Sequence, residues 1–201
     1  MKNLFYYITF VLFSSLVLSC SHSKKFTKSY YQENENGFQS LYWLYKNIYA
    51  KNPFALQIID KSSKHISLEI TTDSIRYIDV FDIGEKKLDD TLQKYHFDIK
   101  AMKELMNDMQ KLRCTWITSL DYYENREKKY LVFISVRHKD LETFLKKTKY
   151  FTLAFFEQSQ PSDIKGRLKD KSDDKHLRKI NGAVFRRIND KVFYAFTLHF
   201  R

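Results

Sequence analysis

From residue 38 onward the apolar positions of this chain follow two rhythms, one of three- and four-residue steps and one of strict alternation. Phe38, Leu41, Tyr42, Leu44, Tyr45, Ile48 and Tyr49 follow the first, which predicts an amphipathic helix that Pro53 helps to end. Ile99, Met102, Leu105, Met106, Met109 and Leu112 form a second stripe, with Asp98 placed as its N-cap and Lys111 and Arg113 near its C-terminal end. A shorter helix is expected around Leu88, Leu92 and Tyr95, and a weak helical turn over 141–145.

Alternation and β-rich composition predict the strands. Residues 54–60 and 65–71 flank a Lys61-Ser62-Ser63-Lys64 turn, and 75–81 follows them. Further strands are expected over 114–120, 130–137 and 150–157. The chain ends in a predicted hairpin, 183–188 and 192–200 around Asn189-Asp190, whose last strand alternates cleanly through Val192, Tyr194, Phe196, Leu198 and Phe200. Residues 158–181 are polar and basic and read as a long loop. Hairpin-length connections between the strands point to an α+β fold. We expect a mostly antiparallel sheet of about six to eight strands with two or three helices packed on one face, forming a single domain over 38–201. No internal repeat is visible.

The first twenty residues follow a different logic. Lys2 is followed by a nearly unbroken apolar run from Leu4 to Leu18, and small Ser19 stands directly before Cys20. That run of about fifteen residues has the order of a secretory signal and is short of the ~20 needed to cross a bilayer. Leu16-Val17-Leu18-Ser19-Cys20 resembles the lipobox of bacterial lipoproteins. The resemblance implies removal of residues 1–19 as a signal peptide. It also implies a diacylglycerol thioether on Cys20 and acylation, such as palmitoylation, of its new amine. Residues 20–37, with Lys24, Lys25, Lys28, Glu33 and Glu35, then read as a lipidated flexible tether. Such a tether spans roughly 20–25 Å by random-coil scaling. Ser21, rather than Asp, after the cysteine resembles the outer-membrane sorting pattern of some Gram-negative bacteria.

Composition narrows the partners. Without residues 1–19 the chain keeps 34 basic against 24 acidic residues, a formal charge of +10. A basic exported domain meets lipid headgroups, acidic glycans or acidic proteins, and no nucleic acid. Lys165, Arg167, Lys169, Lys171, Lys175, Arg178, Lys179, Arg186 and Arg187 are the densest basic stretch, and Lys175, Arg178, Arg186 and Arg187 are the candidate anion- or partner-binding residues.

Catalytic and metal signals are thin. Cys114, the remaining thiol, is flanked by Arg113 and Thr115, so it reads either as an activated nucleophile or as a small buried residue at a strand start. Asp173, Asp174 and His176 lie together but among lysines and arginines that oppose a cation. Asp121 and Glu124 form a carboxylate pair in a tyrosine-rich turn. The six histidines lack paired zinc spacing, and no phosphate loop, nucleophile elbow or dinucleotide fingerprint is present. No catalytic residue, metal or cofactor is therefore assigned. The expectation is a membrane-tethered, non-catalytic lipoprotein at the outer membrane facing the periplasm, which binds a protein or an anionic envelope component. The alternatives are an envelope hydrolase with an unrecognised site, and an inhibitor or immunity-type lipoprotein.

Overall fold

In the computed structural model the described residues are 28–72, 76–124, 127–137, 150–170 and 176–197. The chain divides into two units, Met1–Glu35 and Asn36–Arg201, and the second carries the sheet. In the first, residues 28–33 are helical, and the Asn34 side-chain amide donates to the Tyr30 carbonyl at 2.9 Å. A further helix starts at Glu35, so the stretch expected to be flexible is helical over most of 28–37. Lys, Gln and Glu are good helix formers, so a polar composition there does not prevent a helix.

Helix α1 (Glu35–Tyr49) buries Phe38, Leu41, Tyr42, Tyr45 and Ile48, the stripe that its spacing predicts. Strands β1 (Phe54–Ile58), β2 (His65–Thr71) and β3 (Arg76–Asp82) form a meander. Helices α2 (Lys86–Lys94) and α3 (Ile99–Lys111) follow, and Asp98 caps α3 by accepting from the Ala101 amide at 3.0 Å. Strands β4 (Cys114–Glu124), β5 (Glu127–Arg137), β6 (Tyr150–Phe156), β9 (Arg186–Arg187) and β10 (Val192–Thr197) complete an eight-stranded sheet of order β3-β2-β1-β4-β5-β6-β10-β9. Every pairing is antiparallel. The fold is α+β as expected. Residues 141–145, Leu198 and Phe200 lie outside the described residues.

The helices cover one face. Phe54, Leu56 and Ile58 pair with Ile70, Leu68 and Ile66, and the same rows continue through Ile117, Ile134 and Leu153. All of these are buried. Tyr42 of α1 stacks on Phe155 with ring centroids 5.3 Å apart, and the Tyr45 hydroxyl donates to the Phe54 carbonyl at 2.6 Å. α3 packs against β4, and α2 against both α3 and β3.

The opposite face carries a second core. Tyr122, Leu131, Phe133, Ala154, Phe156, Phe193 and Ala195 point there from the strands, and Leu168 and Phe185 close over them. Both closing residues come from the segment read as a solvated loop with a continuous strand after it. That segment instead folds into the short hairpin β7 (Lys179–Ile180) and β8 (Ala183–Val184), with Asn181 and Gly182 at φ 49° and 75° between them. Two positive φ values suit an Asn-Gly hairpin turn, whose twist matches that of the flanking strands. The lid covers only part of this face. Toward β3 the sheet is open, with Ile78 and Val80 about half exposed.

β3 is an edge strand, and its border is occupied. The Ile83 amide donates to the Lys64 carbonyl at 2.8 Å, a phase that turns the backbone donors of Arg76, Ile78, Val80 and Asp82 outward. The Val80 amide donates to the Asp79 carboxylate at 2.8 Å and the Asp82 amide to Glu85 at 3.1 Å. Filled donors discourage pairing with another chain.

Three carboxylates hold local geometry in this way. Asp79 sits below the usual carboxylate range, first through Lys87 and then through the Val80 amide. At Asp163 the Arg167 amide does most of the lowering, joined by the Arg167 guanidinium and the Lys165 amide. Partial desolvation of Asp60 works the other way, and donors from Ser62, His65 and Lys64 outweigh it. A depressed folded value contributes stability that is complete above the unfolded pKa of ~3.9 and is lost as pH falls through the folded value. The urea midpoint should therefore stay level from neutral pH to about 5 and fall below about 4. Asp163→Asn should lower the neutral midpoint and shrink the acid drop. An equal drop in wild type and variant would show that Asp163 contributes nothing.

Candidate functional site

Two adjoining concavities lie between α1 and the sheet. Residues 39, 43 and 46 of α1 flank its buried stripe at steps of four and three, so Gln39, Trp43 and Lys46 form one column along the rim. Opposite stand Phe155 and Glu157, and the Arg187–Val192 turn closes one end. Together they enclose a trough of about 700 Å³. A second recess of about 360 Å³ continues beneath Tyr42, Tyr45 and Tyr49, with Ser119, Tyr130 and Val132 on its strand side. Tyr42, Lys46 and Glu157 line both, and they stand where trough and recess meet.

The shared boundary is fixed by charge and rings. Lys46 Nζ lies 2.6 Å from Glu157 Oε1 and 5.3 Å from the centre of the Trp43 ring. Burial works against the Lys46 charge, but Glu157 and the Tyr42 hydroxyl outweigh it and hold the ammonium above the usual lysine range. Tyr42 meets Trp43 edge-on at 5.1 Å and 68°. Trp43 nevertheless remains 54% exposed, an unusual degree for so large a ring. Burial raises the phenols of Tyr42, Tyr45 and Tyr49 above their ordinary range. They are therefore uncharged donors at neutral pH. The turn is equally set, since Asn189 Oδ1 accepts from the Lys191 and Val192 amides at 3.0 and 2.8 Å, and Arg187 pairs with Asp190.

Two of the candidate basic residues, Arg178 and Arg187, are engaged within the fold. Arg178 is half-buried, with its guanidinium 4.8 Å from the centre of the Tyr122 ring and 5.7 Å from that of Phe156, and it donates to Gln160 at 3.4 Å. Burial holds it below the usual arginine range. It thus serves as a plug over the second core. Arg186 stands opposite Tyr194 on β9, and Arg187 is tied to Asp190 at the trough's end. Lys175, Asp173, Asp174 and Cys20 lie outside the described residues.

The other candidates resolve into structural roles. Cys114 is fully enclosed, burial pushes its thiol far above the ordinary range, and its Sγ lies 3.8 Å from the Leu112 carbonyl. Arg113 does not activate it. Arg113 occupies a left-handed conformation (φ 54°) just after α3, exposed where Cys114 is buried. Asp121 pairs with Lys128 at 2.8 Å across an exposed hairpin, while the Glu124 side chain is not described. His176 is exposed, and its carbonyl accepts from the Asp170 amide at 3.0 Å. Among the described residues no cluster of three His, Cys, Asp or Glu is placed to hold a metal ion. No described helix is long and apolar enough to cross a membrane.

Sequence reasoning assigned Tyr42, Tyr45 and Tyr49 to the buried side of α1, and they are the inner wall of this cleft. It did not single out Trp43. The available signal was a tryptophan one position off the buried stripe, with Lys46 three residues later on the same column. No protein-family model matches this chain, and neither a curated protein nor a solved structure matches it.

Proposed function

We propose that this protein is a lipid-anchored binding protein of the bacterial cell envelope, held at Cys20 and facing the periplasm, whose ligand enters the cleft between α1 and the sheet. The observation that carries the binding assignment is Trp43, an exposed indole held over preformed concave ground. Rigid aromatic anchors in pockets supply most of the energy of recognition sites. The cleft's ionisable groups favour holding over reacting. Its lysine and glutamate neutralise each other, and its phenols stay protonated. That chemistry supports binding rather than hydrolysis. The anchor rests on the lipobox-like run before Cys20.

Expressed in its native host, the chain should sediment with membranes, and Cys20→Ala should move it to the soluble fraction. Trp43→Ala should leave the wild-type distribution unchanged but lower the amount of envelope material that the purified protein retains. Equal fractionation of wild type and Cys20→Ala would remove the anchor. Equal retention by Trp43→Ala would remove the cleft as the binding site.

A further inference from the structure

The composition and wiring of the cleft say what kind of molecule it suits. This inference rests on the cleft being the binding site. Three bases, Lys46, Arg187 and Lys191, and two acids, Glu157 and Asp190, line the trough. Both acids are already paired, Glu157 with Lys46 and Asp190 with Arg187. A phosphate or carboxylate ligand would have to displace a built-in carboxylate to reach either partner, losing one charge-assisted contact for each it gained. A hydroxyl has no such cost, because it adds to lone pairs that the paired carboxylates keep.

The other surfaces make the same demand. Gln39, Asn189, Glu157 and Asp190 end in flat groups with two polar atoms, the kind that hydrogen-bond hydroxyls. Trp43 offers exposed ring surface at the same place, with buried Tyr42 edge-on beside it. A ligand must therefore be polar around its rim and apolar on its faces. Of the trough's three bases only Lys191 has no paired acid among the described residues, so the wiring favours an uncharged ligand, and one long enough to follow a trough that borders a second recess. We propose that the α1–sheet cleft binds a neutral oligosaccharide, with one sugar ring packed on Trp43 and its neighbour directed past Lys46 and Glu157 toward Tyr49 and Tyr130. N-acetyl substituents suit the apolar recess, which pairs phenols with Pro53 and Val132. This assignment replaces the anionic envelope component expected from net charge. The overall positive charge lies largely elsewhere, and Arg178 and Arg187 spend theirs within the fold.

The test is an array of neutral, N-acetylated, uronic and phosphorylated oligosaccharides, together with anionic lipid vesicles, probed with the full chain in detergent. Neutral or N-acetylated glycans should be retained, with little change on raising salt. Trp43→Ala should weaken the best of them by about tenfold or more, and Trp43→Phe, which keeps a ring, by only a few-fold. Circular dichroism of both variants checks that the fold survives. Binding confined to uronic or phosphorylated glycans or to vesicles, and abolished by salt, would overturn the proposal in favour of an anion site. If no glycan binds while native envelope still retains the chain through Trp43, the cleft stands and the sugar falls. If neither holds, both fall.

Discussion

Phe185→Ala should cost about 3–5 kcal/mol of unfolding free energy, the loss typical of truncating a buried ring in a packed core. Its position gives no hint of this, because it lies in a segment with almost no regular structure, between two strands of two residues each. Yet Phe185 is 1% exposed and meets Phe133 edge-on at 5.6 Å and 78°. Its carbonyl accepts from the Leu168 amide at 2.9 Å, so the two apolar residues that close the second core are tied to each other. Removing the ring leaves a cavity between the lid and the sheet. Urea denaturation followed by circular dichroism gives the number. A cost below about 1 kcal/mol would mean that the lid collapses freely or is absent in solution, since surface changes fall in that range.

The second large effect concerns Cys114. In the native protein a thiol reagent such as a maleimide should label it about a thousandfold more slowly than in urea, because reaction must wait for the strand to open. The sulfur lies at the start of β4 opposite Val136 on the helix-covered face, with no route to water. Burial raises its pKa, so raising the pH of the native protein generates no accessible thiolate. The native labelling rate should therefore follow denaturant concentration much more than pH. Rapid stoichiometric labelling without denaturant would restore the thiol as a candidate nucleophile and reopen the hydrolase reading.

How much of this was legible beforehand divides along a physical line. Periodicity located α1, α3 and every strand of the large sheet except β9, because each buries one face and the burial repeats in sequence. Asp98 was readable as a cap, since capping is a contact three residues long. Residues 158–187 were not legible, because their burial does not repeat. Leu168 is a single apolar residue among charges and Phe185 ends a three-residue apolar run, too short for either periodic template to assign. One local signal was present, the Asn181-Gly182 pair, whose flanks are short enough to escape notice as strands. The hairpin tip at β4 and β5 went further than alternation alone suggested, with pairing as far as Glu124 and Glu127. The cleft failed for a different reason. Gln39, Trp43 and Lys46 are a helical column, but Glu157 and the Arg187–Val192 turn join them from more than a hundred residues away. Only the register of β6 and β10 brings those together, and no spacing in the sequence encodes it. The basic run shows a related limit, since charge counts do not reveal that Arg178 and Arg187 already have partners.

The carboxylates along β3 set a limit on how these molecules meet. Held at Cys20 as we propose, the molecules would be crowded in two dimensions, where a bare strand would let neighbours zip into ribbons. Here an arriving strand finds two of the four outward amides already answered by Asp79 and Glu85. Asp79 is itself clasped by Lys87 at 2.8 Å, so evicting it breaks two contacts for each one gained. The sheet ends at eight strands because its last one keeps its own company.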